Sequence, residues 1–225
     1  MKSKLLKSIT AILFIGVMST SSIGSAQSKN VQFTDVPQSK PYYDAVNSLA
    51  SRGYISGFPD GTFKPGANVT RGQATKIIAN VLKLDVKNVK NPGFKDISTA
   101  HQYYGYIAAL VEAGVISGFE DQTFKPGEQM TRAHMSKMII KGFGFKEASQ
   151  NVSSPFTDVT KKHWFAPYVE SLRINNITTG TTPTTFSPSQ FVTRSQLAAF
   201  VTRSESAISS PSVPTDPDFV VDSIE

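Results

Sequence analysis

The 225-residue sequence contains no cysteine, which excludes disulfide bonds and metal sites built from thiolates. Histidine is also scarce, and His101, His134 and His163 show no metal-ligand spacing such as H-E-x-x-H. Neither a nucleophile elbow of the form G-x-S-x-G nor a phosphate-binding P-loop is present. We therefore expect a protein that is not an enzyme and that uses neither a metal nor another cofactor.

Long apolar runs are missing except near the N-terminus. Three lysines precede an apolar run at 9–18, and small residues follow up to Ala26. This order predicts a secretory signal peptide at 1–26 that is cleaved near Ala26. The alternative is an uncleaved membrane anchor, but the run is short for the ~20 residues that a spanning helix needs. The mature protein is therefore expected to be exported and not to insert into a membrane.

Charges of the two signs are unevenly distributed. The formal net charge is +6, and residues 27–204 carry 20 basic and 12 acidic side chains. The segment 205–225 holds five acidic residues and no basic ones, and it is expected to be a disordered acidic tail or linker. A basic exported body implies an anionic partner. Export favours a polyanion of the cell wall or cell surface over nucleic acid, which is not expected as a partner.

Three copies of one pattern lie between these two ends. Each copy opens with Phe-x-Asp and reaches a Thr-Arg pair whose Arg follows the Asp by 36 residues, and the copies are offset by 61 and 62 residues. The pairs are Asp35 with Arg71, Asp96 with Arg132, and Asp158 with Arg194. Because the internal distance is constant, the extra residue lies between copies. We predict three repeats at 31–84, 94–145 and 156–204.

Within each repeat the pattern predicts a helix, an ordered loop and a second helix. The first helix is expected to end at a residue suited to left-handed backbone, namely Gly53, Gly114 or Asn176. A loop with proline and a shared Phe follows, and the second helix begins at Thr-Arg. Each repeat is too small to bury its own apolar faces. The three should therefore pack around a shared core in a mainly α fold.

The Thr-Arg pair carries the most informative signal. Its Thr can cap the second helix, and a Gln three residues later completes a capping box in repeats 1 and 3. In repeat 2 this place is taken by His134, which is expected to be a helix-surface residue. An arginine in the first helical turn opposes the helix dipole unless it has another task. Two interpretations stay open, an anion-binding corner or a salt bridge to the Asp of the same repeat.

Repeat 1 has the motifs Phe-x-Asp, Gly-x-Ile-x-Gly, Asp-Gly-Thr-Phe-x-Pro and Thr-Arg in this order, and repeats 2 and 3 return to the same order with substitutions. Over roughly residues 31–204 this pattern resembles the S-layer homology domain family. The resemblance implies a pseudo-threefold helical assembly with a central helix bundle and ligand grooves between repeats. It also implies non-covalent anchoring to the bacterial cell wall through an anionic secondary cell-wall polysaccharide that carries pyruvate ketals. The groove residues carried over from the family are Arg71, Arg132, Arg194, Asp35, Asp96, Asp158, Gly57, Gly118 and Gly180.

Departures from the family pattern indicate that the three grooves are not equivalent. No repeat keeps the Glu that the family has after Thr-Arg-Ala, and its His-Trp pair survives only as His163-Trp164. Repeat 3 also has Pro183 where repeat 1 has the loop residue Asp60. Trp164 is therefore added as a ligand-binding residue that could stack on a sugar and compensate for a weaker loop at Arg194. The first two repeats are expected to form the dominant grooves.

Each proposed contact has a structural alternative. The arginine fork matches a carboxylate, the Asp could accept sugar hydroxyls or cap a turn, and the Gly could serve backbone geometry before ligand approach. For the whole protein, the alternatives are a structural component of a surface lattice or the anchor fragment of a longer wall-active enzyme. We expect a monomer with internal pseudo-threefold symmetry at the cell wall or S-layer.

Overall fold

The computed structural model describes residues 31–151 and 153–209. The predicted signal peptide at 1–26 and residues 210–225 of the predicted tail lie outside the described residues. The described ranges hold six α-helices and no β-strand; the helices are α1 Tyr43–Ser51, α2 Arg71–Val81, α3 Tyr104–Glu112, α4 Arg132–Gly142, α5 Ala166–Ile174 and α6 Arg194–Ser209. This confirms the prediction of a mainly α protein built from helix–loop–helix repeats.

The first helix of each repeat ends where the sequence predicts. Gly53, Gly114 and Asn176 have φ angles of 75°, 69° and 57°. In repeat 1, the Tyr54 N–H donates to the Leu49 C=O at 2.9 Å and closes the turn around Gly53. The equivalent bonds in repeats 2 and 3 measure 2.9 and 2.8 Å. A left-handed residue is what this helix ending requires, which explains the choice of Gly and Asn.

Threonine caps the second helix of each repeat. The Gln73 N–H donates to Thr70 Oγ1 at 3.3 Å, and the Thr70 N–H donates to Gln73 Oε1 at 3.0 Å. The same two bonds join Thr193 and Gln196 at 3.3 and 3.1 Å. In α4 only the threonine side chain takes part. The capping boxes predicted for repeats 1 and 3 are confirmed.

The helices pair across repeat boundaries. The principal contacts join α2 to α3, α4 to α5, and α6 to α1. Each Thr-Arg helix therefore packs against the first helix of the following repeat, and α6 closes the ring on α1. An isolated repeat would leave these helix faces uncovered, so the repeats are expected to fold together.

Short segments ahead of the second helices join the three repeats in a ring. The Val69 N–H donates to the Val192 C=O at 2.9 Å, the Met130 N–H to the Val69 C=O at 2.9 Å, and the Val192 N–H to the Met130 C=O at 2.8 Å. All three side chains are fully buried, and the main hydrophobic core draws residues from every repeat. The expected shared core is therefore present. Its cyclic connectivity is what pseudo-threefold symmetry requires, and that symmetry stays a prediction.

The C-terminal tail begins later than the sequence predicts. α6 continues to Ser209, so the predicted start of the tail at residue 205 is wrong. The reason is tertiary contact, because Arg52 of α1 donates two hydrogen bonds of 2.7 Å to the Glu205 carboxylate. This bidentate pair adds to the packing of α6 on α1 and extends the helix beyond the last repeat.

We expect Glu205→Gln to lower the melting temperature by about 1–3 °C, because a partly exposed ion pair contributes up to ~1 kcal/mol. The shift should shrink in high salt. Glu112→Gln is a matched control, since its partner Lys90 lies 3.8 Å away and is 90% exposed. Differential scanning calorimetry measures both. Equal shifts for the two variants would contradict a special role for the Arg52–Glu205 pair.

Candidate functional site

The Phe-x-Asp carboxylates hold the loop of their own repeat. Asp35 Oδ1 accepts the Phe63 N–H and its Oδ2 accepts the Lys64 N–H, both at 2.7 Å. The same bonds, at 2.7–2.8 Å, join Asp96 to Phe124 and Lys125, and Asp158 to Phe186 and Ser187. The second residue of each pair has a positive φ, which turns two successive amides toward one carboxylate. Loop fixation is therefore the first task of these residues, and ligand contact by them stays a prediction.

The Thr-Arg arginines reach across a repeat boundary. Arg71 donates through Nε to the Phe124 C=O at 2.9 Å and through Nη2 to the Ser117 C=O at 3.4 Å. Its guanidinium carbon also lies 4.6 Å from the centre of the Phe124 ring. The corresponding Nε bonds join Arg132 to Phe186 and Arg194 to Phe63, both at 2.7 Å. Each arginine thus docks on the loop of the following repeat, and repeat 3 docks on repeat 1.

These arginines remain charged although they are largely buried. Across the described ranges, no ion pair joins one of them to the Asp of its own repeat. Burial lowers the pKa of Arg71 and of Arg194, and it lowers the pKa of Arg132 to about 10. All three remain cationic at neutral pH. Nη1 of Arg71 has no hydrogen-bond partner in the described part of the protein, which leaves one edge of the fork for a ligand.

The glycine before each loop makes room for the Phe of Phe-x-Asp. A Cβ on Gly118 would collide with the Phe94 ring and come within 2.8 Å of the Thr123 carbonyl oxygen. Gly57 is equally crowded by the ring of Phe33. Close packing of an aromatic ring therefore explains these glycines, and their predicted part in ligand approach stays a prediction.

A cavity at the boundary of repeats 1 and 2 is called the Arg71 groove. Its volume is about 730 Å³. Its lining consists of Arg71, residues 115–121, Lys125, Met130, three residues of α4 (His134, Lys137 and Met138) and Trp164. Repeat 1 thus supplies the arginine, repeat 2 the loop and helix face, and repeat 3 the tryptophan. The predicted site residues Arg71, Gly118 and Trp164 meet here.

Trp164 belongs to the Arg71 groove. Its side chain is 50% exposed, and its ring centre lies 5.3 Å from that of His134 and 5.5 Å from that of Phe165. The prediction that Trp164 compensates for the loop at Arg194 is wrong. The two residues share a repeat in sequence, but the Arg71 and Arg132 grooves each take their arginine, their loop and their third wall from three different repeats.

Positive charge exceeds negative charge in the Arg71 groove. Arg71, Lys125 and Lys137 line it together with Glu120 and Asp121. Asp121 is already engaged, because it accepts both the N–H and the hydroxyl of Thr123 and pairs with Lys125 at 3.3 Å. The Thr123 hydroxyl is the main reason that the pKa of Asp121 lies below its usual value. The groove is suited to an anionic ligand with an apolar or aromatic-stacking face.

The Arg132 groove, between repeats 2 and 3, is smaller than the Arg71 groove and has a different lining. Its volume is about 450 Å³, and Arg132, Tyr42 and Arg203 are among its lining residues. The positions of Phe119, Lys125, Lys137 and Trp164 are occupied in this groove by Thr181, Ser187, Ala199 and Pro41. This groove therefore lacks the loop aromatic, the two lysines and the tryptophan of the Arg71 groove. It has Arg203 beside Arg132 instead, and no Asp or Glu is among its described lining residues.

The loop at the Arg132 groove also follows a different path. Gly180 has a φ of 88°, whereas Gly57 and Gly118 are not in the left-handed region. Among the described residues, Nη2 of Arg132 is buried without a hydrogen-bond partner, in contrast to the Nη2 atoms of Arg71 and Arg194. The structural inequivalence that the sequence departures predict is therefore present.

The residues around Arg194 combine features of the Arg71 groove and of the Arg132 groove. Phe58 is 39% exposed, and its ring centre lies 5.2 Å from the Arg194 guanidinium and 4.1 Å from Lys64 Nζ. Gln102 stands at the position that Trp164 has in repeat 3. This site keeps the aromatic and cationic loop residues but lacks the tryptophan wall.

Sequence reasoning missed several residues of the Arg71 groove. His134, predicted to be an ordinary helix-surface residue, lines the cavity with Lys137 on the next turn. Phe119 and Lys125 also line it. Their counterparts Phe58 and Lys64 in repeat 1 were a usable signal, because an exposed aromatic and a cation kept at the same two loop positions favour a binding surface.

The protein thus belongs to the class of ring-shaped assemblies of three helical repeats, and it has a cationic and aromatic groove at a repeat boundary. The family model of the S-layer homology domain matches residues 32–75, 93–136 and 155–198. The chain belongs to the S-layer homology domain family.

Curated relatives are longer proteins of the bacterial surface. An S-layer protein of Bacillus thuringiensis subsp. finitimus is 27% identical over 88% of this chain and 23% of its own length. A protein of Bacillus anthracis named as an uncharacterized cell wall amidase is 33% identical over 77% of this chain and 32% of its own length. A cellulosome-anchoring protein of Acetivibrio thermocellus is 31% identical over 67% of this chain and 35% of its own length. The chain therefore spans about a quarter to a third of these relatives.

The names of these relatives agree with the cell-surface or cell-wall location predicted from the sequence. Among the residues that the structure describes, no helix combines the length and the apolar character needed to cross a bilayer.

Proposed function

We propose that this chain anchors an exported protein non-covalently to the bacterial cell wall by binding an anionic, pyruvylated secondary cell-wall polysaccharide between its repeats. The observation that carries the proposal is the Arg71 groove, in which Arg71, Lys125 and Lys137 lie beside the half-exposed ring of Trp164. Family membership supports the same function. The relatives named as S-layer and anchoring proteins support it further.

The chemistry of a pyruvate ketal fits this groove. Its planar carboxylate can accept two hydrogen bonds from a guanidinium, and Arg71 is already held in place by Phe124 and Ser117. A fixed cation loses little conformational entropy on binding. The Trp164 ring offers an apolar face for the sugar ring, and the 730 Å³ volume lies in the range of small-ligand sites.

The other predicted site residues are expected to contribute less to binding than Arg71 and Trp164. Arg132 and Arg194 occupy equivalent boundaries without a tryptophan wall, so we propose weaker secondary binding there. Both carboxylate oxygens of Asp35, Asp96 and Asp158 already accept a loop N–H. We propose that a remaining lone pair of each carboxylate accepts a hydrogen bond from a sugar hydroxyl without loss of these loop contacts. Gly57, Gly118 and Gly180 act by keeping the loop close to the Phe-x-Asp ring.

Retention on a purified polymer tests the proposal. The protein should bind pyruvylated wall polysaccharide, and binding should fall steeply after mild acid removes the ketals, because the carboxylate that faces Arg71 is then lost. Buffer salt should weaken binding, as expected for an ionic contact in a partly exposed groove. Equal retention on intact and depyruvylated polymer would contradict the function.

A second function follows from the names of the relatives. Several are S-layer proteins of which this chain spans about a quarter, which favours a role as the anchoring part of a surface lattice. The amidase-named relative favours instead an anchor that carries a wall-active domain, and we propose no enzymatic activity for the repeats themselves. Electron microscopy distinguishes the lattice role, because ordered arrays of the purified protein without polymer would support it.

A further inference from the structure

His134 replaces a residue that has a capping task in the other two repeats. At the equivalent positions, Gln73 and Gln196 accept the backbone N–H of the capping threonine through Oε1. His134 does not make this bond; its Nδ1 lies 2.8 Å from Thr131 Oγ1 instead. The imidazole is therefore held at one nitrogen, and Nε2 has no hydrogen-bond partner among the described residues.

The imidazole forms part of the groove wall. His134 lines the Arg71 groove, and its ring lies 5.3 Å from the Trp164 ring at an interplanar angle of 38°. The ring thus connects the tryptophan from repeat 3 to the helix α4 of repeat 2. A ligand that stacks on Trp164 comes within reach of His134. The equivalent glutamines, Gln73 and Gln196, have no tryptophan beside them and cannot make this pair of contacts.

Several charged groups surround the imidazole. Arg71 at the start of α2, Lys137 on α4 and Glu128 on the preceding loop act on it, and Lys125, Glu120 and Asp121 line the same groove. Burial, followed by the charge of Arg71, lowers the pKa of His134, and Lys137 lowers it further while Glu128 opposes them. In the free protein the imidazole is therefore neutral at neutral pH.

We propose that His134 is a ligand-contact residue of the Arg71 groove and that its imidazole is protonated to a greater extent when an anionic sugar is bound there. This inference rests on the proposed function. The proton comes from solvent, resides on the imidazole beside the bound carboxylate, and returns to solvent when the sugar leaves. Thr131 Oγ1 can accept from a protonated Nδ1, and Nε2–H is then available to the ligand.

The sign of the pH dependence follows from linkage. A bound carboxylate favours the imidazolium, so the pKa of His134 is higher in the complex than in the free protein. The additional affinity is complete below the free-state pKa and is lost as the pH rises through the pKa of the complex. Since one pKa unit corresponds to a tenfold change in an equilibrium constant, we expect roughly three- to tenfold tighter binding at pH 5.5 than at pH 8.

Titration calorimetry of wild type and His134→Gln with purified pyruvylated wall polysaccharide, from pH 5.5 to pH 8 at constant ionic strength, tests the inference. Gln is the natural residue of repeats 1 and 3 and completes their capping boxes, so this variant should fold. We expect its affinity to vary less than twofold over the range. His163→Gln is the control, because His163 adjoins Trp164 in sequence and stacks on Phe165; it should keep the wild-type profile.

Proton uptake gives a second readout. Wild-type binding heats measured at pH 6 in two buffers of different ionisation enthalpy should show fractional net proton uptake, and His134→Gln should show none. The inference is overturned if wild type and His134→Gln share one pH profile or if wild type takes up no proton. Absence of wild-type binding at every pH would instead contradict the proposed function, so the two failures are distinguishable.

Discussion

Phe124→Ala should lower the free energy of unfolding by about 3–5 kcal/mol, the range for removal of a fully buried phenylalanine. Phe124 is 0% exposed and packs with Ile97 and Ile107. Its backbone N–H is held by Asp96 of its own repeat, and its C=O is held by Arg71 of the preceding one. The substitution thus leaves a cavity at the point where two repeats are joined. Urea denaturation followed by circular dichroism measures the loss.

Phe119→Ala is the matched control for this prediction. Phe119 lies in the same loop, and its ring centre is 4.8 Å from the Arg71 guanidinium, but it is only partly buried and lines the Arg71 groove. We expect a loss of at most about 1 kcal/mol in stability, together with weaker polymer binding. Equal destabilisation by the two variants would contradict the larger share of the packing between repeats that the fully buried Phe124 ring is expected to supply.

Trp164→Ala should weaken polymer binding by roughly 10- to 100-fold, as expected when a central tryptophan is removed from a binding site, while the melting temperature stays nearly unchanged. The reason is that the side chain is 50% exposed and contributes little to the core. Ile174→Ala is the control, because Ile174 is also 50% exposed, lies in the same repeat and does not line the groove. Surface plasmon resonance on immobilised polysaccharide measures both variants.

The assignment of Trp164 to one groove can be tested by coupling. Trp164 and Lys137 line the same cavity, so the effects of Trp164→Ala and Lys137→Ala on binding should not be additive. Lys76 is the repeat equivalent of Lys137 in repeat 1, and Lys76→Ala combined with Trp164→Ala should be additive. Additive behaviour in both pairs would contradict the shared wall of the Arg71 groove.

The local features of the fold were predictable because their causes are local. Gly53 and Thr70 mark a helix end and a helix start through backbone conformation and capping, and both signals recur at a fixed spacing. The shared core followed from repeats that are too small to bury their own apolar faces. The helical extension beyond residue 204 was missed because it depends on Arg52, which is distant in sequence.

The partners of the site residues were not predictable for a different reason. Three similar copies give no information about which copy faces which, so Trp164 was paired with Arg194 of its own repeat although it faces the groove of Arg71. The docking of Arg71 on the Phe124 carbonyl was also missed, since backbone acceptors leave no trace in a sequence. The asymmetry between grooves was predictable because it arises from residue types, such as Pro183 in the loop of repeat 3.

The most direct measurement is a crystal structure of the protein with a pyruvylated oligosaccharide from the wall polymer. The account predicts that the sugar occupies the Arg71 groove, with its ketal carboxylate within hydrogen-bond distance of the Arg71 guanidinium and its ring against Trp164. A sugar bound outside the three repeat boundaries, or a carboxylate that contacts none of their arginines, would contradict it.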